Sequence, residues 1–252
     1  MPREPQASIR ASSRRQLVTL SCGAAVMAVA FVILSGSVWH ANHAVALDRL
    51  ATDLGLAAGE VGEHAPMAER VEQLGSREGV GLAALALAVL AVILRDWVAA
   101  LVAVLAPMAC FGITQYVAKP LINEPIPFGG RAFPSGHAAG VTAVALTAVL
   151  LLYRRWGGLV AILFAPLAIA AVLGVGSAVL TLRFHHYPTD VLGGAALGAA
   201  VVLTLASGLS LARHRWQPHG QWSRREQHAV LHIPKNRPGD APPEPTSLSS
   251  SE

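Results

Sequence analysis

Apolar residues dominate this chain in long blocks, and polar residues gather in the stretches between them. A helix needs about twenty apolar residues to cross the hydrocarbon core of a bilayer. Six stretches reach or approach that length, at residues 17–39, 80–94, 98–117, 138–153, 159–182 and 191–212. The second and fourth are short and must borrow flanking residues to span. Arg14 and Arg15 stand before the first block as basic residues stand before a signal peptide. The block is longer than a signal core, however, and no clear small-residue cleavage site ends it. The pattern therefore predicts an all-α integral membrane protein, a bundle of six spanning helices with an uncleaved first span.

Composition agrees with the pattern, since 53% of the 252 residues are hydrophobic and only 13% are charged. That balance lies outside the range of ordinary soluble domains. Cys22 and Cys110 both fall inside apolar blocks and read as small packing residues rather than as a disulfide or a metal site. The net charge is +4, but the basic residues flank the hydrophobic blocks as orientation signals do, so no nucleic-acid partner is expected. With the N-terminus in the cytoplasm, Arg3, Arg10, Arg14, Arg15, Arg95, Arg154, Arg155 and the tail from Arg213 onward all fall on the inner side. The loop at 40–79 then lies outside, carrying Asp48, Asp53, Glu60, Glu63, Glu69, Glu72 and Glu78 against Arg49, Arg70 and Arg77. The expected organisation is a cytoplasmic segment (1–16), a membrane domain (17–212) and a basic cytoplasmic tail (213–252) with the composition of a disordered segment. The expected location is the plasma membrane, with both ends of the chain inside.

Within the outer loop, Leu47, Leu50 and Leu54 recur at helical spacing, and Val71 and Leu74 mark a second amphipathic piece. Two readings stay open for them. Such pieces either lie along the membrane surface and guide a lipid, or pack on the bundle.

This topology brings two polar segments to the outer face. One is "KPLINEPIPFGGRAFPSGH" at 119–137, and the other is "RFHHYPTD" at 183–190. Lys119 alone reads as a boundary lysine reaching for headgroups. As a set, Lys119, Arg131 and Arg183 supply charge for a phosphate, while Ser135, Gly136 and the backbone N–H groups opening the fourth span offer hydrogen bonds and a positive dipole end. His186 and Asp190 are four apart, so on a helix starting there the carboxylate can hold one ring nitrogen and raise the basicity of the other. An attacking imidazole needs that arrangement. His185 has Thr189 at the same offset, which favours His186.

"PSGH", followed about fifty residues later by "HYPTD", each opening a span on one face, resembles the type-2 phosphatidic acid phosphatase family, kin to the vanadium haloperoxidases. The resemblance runs from the second span through the sixth. It implies that the site lies at the extracytoplasmic helix ends, that His186 attacks phosphorus with Asp190 orienting it, and that His137 protonates the leaving oxygen and later activates water. Lys119, Arg131, Ser135, Gly136 and Arg183 would bind the phosphate oxygens. It implies no cofactor and no metal, because cationic side chains neutralise the phosphate. The expected partners are the bilayer and a lipid phosphate: phosphatidic acid, phosphatidylglycerol phosphate, or a polyprenyl phosphate or diphosphate.

The chain departs from the family at two places. Ile126 and Pro127 stand where the family commonly has Arg-Pro, with Arg131 the nearest arginine, and Leu180 stands six before His186 where the family has an arginine, with Arg183 three before it. A lipid phosphotransferase and a silent lipid-phosphate binder or transporter are the alternatives to hydrolysis. A Ser135 nucleophile with His137 as base is a weaker rival, since their side chains diverge at a helix entry and no orienting carboxylate is evident.

Overall fold

The computed structural model describes residues 4–39, 45–53, 65–124, 131–181 and 186–216. Among these, all regular structure is helical. In chain order the helices are α1 (Glu4–Val38), α2 (Ala46–Asp53), α3 (Ala65–Gly75), α4 (Arg77–Ile93), α5 (Trp97–Gly112), α6 (Lys119–Ile122), α7 (Gly136–Trp156), α8 (Gly158–Thr181) and α9 (Pro188–Trp216). A π-helical turn, Ile113–Ala118, joins α5 to α6. Residues up to 214 form one compact unit; of the second, 215–252, the described residues are the two that end α9, and the rest of the expected tail lies outside the description.

Among the described residues five helical runs are long and apolar enough to cross a membrane, six if the bent pair α3–α4 counts as one span. The chain is thus a multi-pass, all-α membrane protein. The second apolar block is short, and in the structure α4 is preceded by α3 across a sharp bend. Ser76 caps α4, its Oγ accepting from Gly79 N at 3.1 Å, and α3 meets α4 there at 51°. The third span is longer than its apolar block. Helical bonding continues past Val117 through the π turn, so Lys119, expected in a connecting segment, sits in the last helical turn. Asn123 ends that turn in the left-handed region at φ 55°, which asparagine tolerates, and its N–H bonds Lys119 O at 3.1 Å.

Packing follows membrane logic, with small residues inside and large ones outside. Ala84, Ala88 and Ala91 of α4 and Ala99, Ala103 and Ala106 of α5 are buried, while Leu82, Leu85, Ile93, Met108, Leu163 and Leu167 are exposed. Cys22 is exposed on α1 and Cys110 is buried in α5, both as free thiols. At one end of the bundle Asp96 caps α5 and pairs with Arg154 of α7 through Nε at 2.7 Å; Arg154 also donates to Ser210 of α9 at 3.4 Å. Gln16 near the start of α1 lies with this group. Phe31 and Val38, further along α1, pack with Phe133 and Ile122 at the other end.

The expected loop helices do form. Both dock on the bundle: Val71 of α3 packs with Val80, Val141, Val175 and Val179, and Asp48 of α2 is fully buried. Leu54 lies outside the described residues. The N-terminal halves of α7 and α9 touch backbone to backbone. A Cβ on Gly194 would run into Ser135 O and lie 3.0 Å from Ala138 Cβ, and one on Gly198 would lie 2.5 Å from Ala139 O. Glycine at these positions is what lets the two helix mouths lie side by side.

Candidate active site

Two helix entries build the site. Ser135 is the N-cap of α7: its Oγ accepts from Ala138 N at 3.4 Å and its own N–H donates to Asp190 O at 2.9 Å. Pro188 opens α9, where its missing N–H costs nothing. Asp190 then reaches back with Oδ2 to accept from Tyr187 N at 2.7 Å, a carboxylate at the third helical position bonding the residue that enters the helix. The same Oδ2 lies 3.2 Å from His186 Nδ1. The pair was expected to meet as neighbours on one helical face. His186 instead lies just outside α9, and the back-reaching carboxylate brings the two together.

Two neighbouring helices, α2 and α3, add polar contacts around this pair. Asp48 of α2 takes both Thr189 donors, the N–H at 2.9 Å and Oγ1 at 2.9 Å. His137, in the first turn of α7, has Nε2 at 3.5 Å from Glu72 Oε1 of α3, an ion pair when the ring is protonated. Gly75 is buried against His137 and Val175, so α3 closes over the α7 mouth.

A cavity of about 460 Å³ opens here, and His137, His186, Lys119 and Gly136 all line it. Ser76, Arg77 and Gln115 add to its polar lining, and Val80, Gly81, Pro107, Met108, Phe111 and Gly140 to its apolar lining. Arg77 lies with its guanidinium 4.4 Å from the centre of the Phe111 ring, a cation held on an aromatic face between two lining residues. The π turn shifts the helical register just before Lys119, whose side chain therefore faces the cavity rather than the lipid.

Of the residues singled out from sequence, Lys119, Gly136, His137 and His186 meet at this cavity, and Asp190 lies directly behind His186. Ser135 is buried, its oxygen and N–H occupied in the helix cap, so it braces the α7 entry rather than lining the cavity. Arg131 is exposed and donates through Nε to Asn123 Oδ1 at 2.9 Å, apart from the cavity wall. Arg183 and His185 lie outside the described residues. Sequence reading singled out none of Glu72, Arg77, Gln115, Asp48 and Glu124. The first four come from α2, α3, the α4 entry and the π turn, whose approach to the site is purely tertiary. Glu124 was visible only as one residue in a polar string.

Glu124 is 2% exposed, and among the described residues neither carboxyl oxygen finds a conventional donor. Burial, and then the negative charges of Asp190 and Asp48, push its carboxyl from the ordinary 4.5 up to about 9.

No curated protein sequence matches the chain significantly. Among solved structures, it is similar to a chain described as the first transmembrane PAP2 type phosphatidylglycerolphosphate phosphatase from Bacillus subtilis. That likeness has a TM-score of 0.61 at 20% identity and covers 77% of this chain and 99% of the other, which establishes a shared fold. The sequence profile of the PAP2 superfamily matches residues 79–213, just over half of the 252 residues and containing both histidine-bearing helix mouths, and the chain therefore belongs to the PAP2 superfamily.

Proposed function

We propose that this PAP2-type membrane phosphatase hydrolyses a lipid phosphate or polyprenyl diphosphate through a phosphohistidine on His186. The observation that carries the reading is a cavity whose lining combines two imidazoles and a lysine with Val80, Pro107, Met108 and Phe111. An amphiphile fits that mixed lining, its phosphate among the cations and its tail against the apolar side chains.

Asp190 holds Nδ1 of His186, so Nε2 is the nitrogen that attacks. The P–N bond forms as the bond from phosphorus to the leaving oxygen breaks, and His137 delivers its proton to that oxygen. His137 then takes a proton from water, which attacks phosphorus and releases His186. Glu72 gives the protonated His137 an anionic partner through the cycle. Lys119, with the helix N-terminus at Gly136, balances charge on the equatorial oxygens of the transition state. Arg131 and Arg183 are kept as candidate contacts of the wider headgroup. The chemistry asks for no metal, since these cations do the neutralising. The basic end of the bundle, with Arg95, Arg154 and Arg155, is placed in the cytoplasm and the site at the outer face of the plasma membrane.

The test is phosphate release by the purified protein from vesicles of phosphatidic acid, phosphatidylglycerol phosphate and a polyprenyl diphosphate, with and without EDTA. Release from at least one lipid, unchanged by EDTA and abolished in His186→Ala and His137→Ala, supports the reading. A silent binder releases nothing from any lipid, and a transferase releases nothing until an acceptor alcohol is added.

A further inference from the structure

Asp190 and Glu124 present the same anomaly from two sides. Asp190 is fully buried; its Oδ2 receives His186 and Tyr187 N, while its Oδ1 has no donor among the described residues. Glu124 is also buried, within hydrogen-bonding reach of Asp190, and among the described residues both its oxygens lack a donor. Two carboxylates cannot bond each other, and leaving either orphaned in a dry interior is costly. One proton resolves both. We propose that Glu124 is a positioning residue whose neutral carboxyl donates its O–H to Oδ1 of Asp190 and thereby fixes the carboxylate that holds His186.

The surroundings decide which acid carries the proton. Asp190 already accepts from the Tyr187 N–H and faces His186, and Lys119 adds a nearby positive charge, so the negative charge settles there. Among the described residues Glu124 has none of these. The other described groups facing the pair are Asp48 of α2, whose oxygens are taken by Thr189, and the Tyr187 phenol, itself pushed up by burial and by the acids around it. Glu124 is placed for this by its backbone, its C=O accepting from Ala132 N at 2.9 Å just ahead of the α7 cap. The donated bond stops the Asp190 carboxylate from turning away from Nδ1. With its carboxyl pushed up to about 9, Glu124 keeps the bond at neutral pH and loses it in alkali, when two buried anions face each other.

The inference rests on His186 as nucleophile, and one of its tests does not need turnover. In infrared difference spectra of the full chain at neutral pH, wild type minus Glu124→Gln shows the C=O stretch of a protonated carboxyl. A carboxylate band in its place overturns the proposal, whether or not the protein hydrolyses anything. The second test is the pH–rate profile on a lipid released in the panel above. Glu124→Gln, which keeps a donor but has no proton to lose, retains kcat within about threefold of wild type, while Glu124→Ala loses about tenfold or more with KM little changed. The alkaline fall in kcat near Glu124's titration is present in wild type and absent in Glu124→Gln. Equal loss in both variants, or an unchanged alkaline limb in Glu124→Gln, overturns the proposal. Absence of turnover in wild type on every lipid overturns the phosphatase reading instead, and the infrared band then decides the carboxyl pair alone.

Discussion

At the scale of single residues, the His186–Asp190 contact asks the carboxylate to do two things, hold the helix entry at Tyr187 and hold the ring. Asp190→Asn keeps an oxygen for one N–H and loses the charge that stabilises an imidazolium. Its kcat is expected to fall about 10²–10⁴-fold with little change in KM, measured on the most active lipid of the panel. Glu124 makes a separate prediction about stability. In the folded chain burial and the neighbouring acids push its carboxyl up to about 9 from the ordinary 4.5. Between those values the native chain keeps a proton that the unfolded chain has released. Its stabilising contribution is full below the lower value and is lost as pH rises through the upper one. Thermal unfolding in detergent should show the wild-type midpoint dropping between about pH 5 and about pH 9 more steeply than that of Glu124→Gln. Parallel curves would mean that the acid is ionised in the native state. The histidines, Asp190 and Lys119 were legible in sequence because each sits in a turn of unusual chemistry inside an apolar chain. Glu124 was not, because burial is a tertiary property, and a lone glutamate in a polar string reads as solvated. Arg131 illustrates the converse: chain proximity to "PSGH" does not say where its side chain points, and its Nε donates to Asn123 rather than its side chain lining the cavity.

At the scale of elements, the contact of α7 with α9 sets the relation between His137 and His186. Gly194 and Gly198 supply it, one turn apart on α9 and pressed on the α7 backbone. Gly194→Ala puts a methyl into Ser135 O and Ala138 Cβ, so the helices must part. The expected cost is about 1–3 kcal/mol in stability, the usual range for overpacking, with a fall in kcat. Gly208→Ala on the same helix meets nothing within 4 Å and should be neutral or slightly stabilising, which makes it the control for helix propensity. Equal behaviour of the two variants would show that close packing at Gly194 does not matter. Helix existence was readable from block length, and helix ends were not. The apolar block of the third span stops before Lys119, yet the backbone carries the helix on to Ile122, since hydrogen bonding does not end where hydropathy does. The bend at Ser76 was hidden for a related reason: α3 carries enough charge to look like a loop while its apolar side packs on α7 and α8.

At the scale of the whole molecule, α7 separates the cavity from the arginine clamp, running 21 residues from Gly136 at the cavity to Trp156 beside the Asp96–Arg154 pair. At 1.5 Å per residue that is about 30 Å, the thickness of a hydrocarbon core, so the six-span reading predicts that the cavity and the arginine clamp face different compartments. Which compartment holds the cavity depends on the excess of arginine at the clamp end, and a labelling experiment decides it. Cys22 and Cys110 are first replaced by Ser and Ala, removing one exposed thiol and one buried thiol. A single cysteine is then introduced at Glu78, exposed beside the cavity-lining Ser76 and Arg77, or at Arg155, exposed at the far end of α7. A membrane-impermeant maleimide applied to intact cells should label Glu78→Cys and spare Arg155→Cys until the membrane is opened. The reverse pattern would put the phosphate site in the cytoplasm and make soluble phosphates, rather than lipids presented from outside, accessible to it. Labelling of both in intact cells would mean that the two ends are not separated by a bilayer, and the six-span arrangement itself would fail.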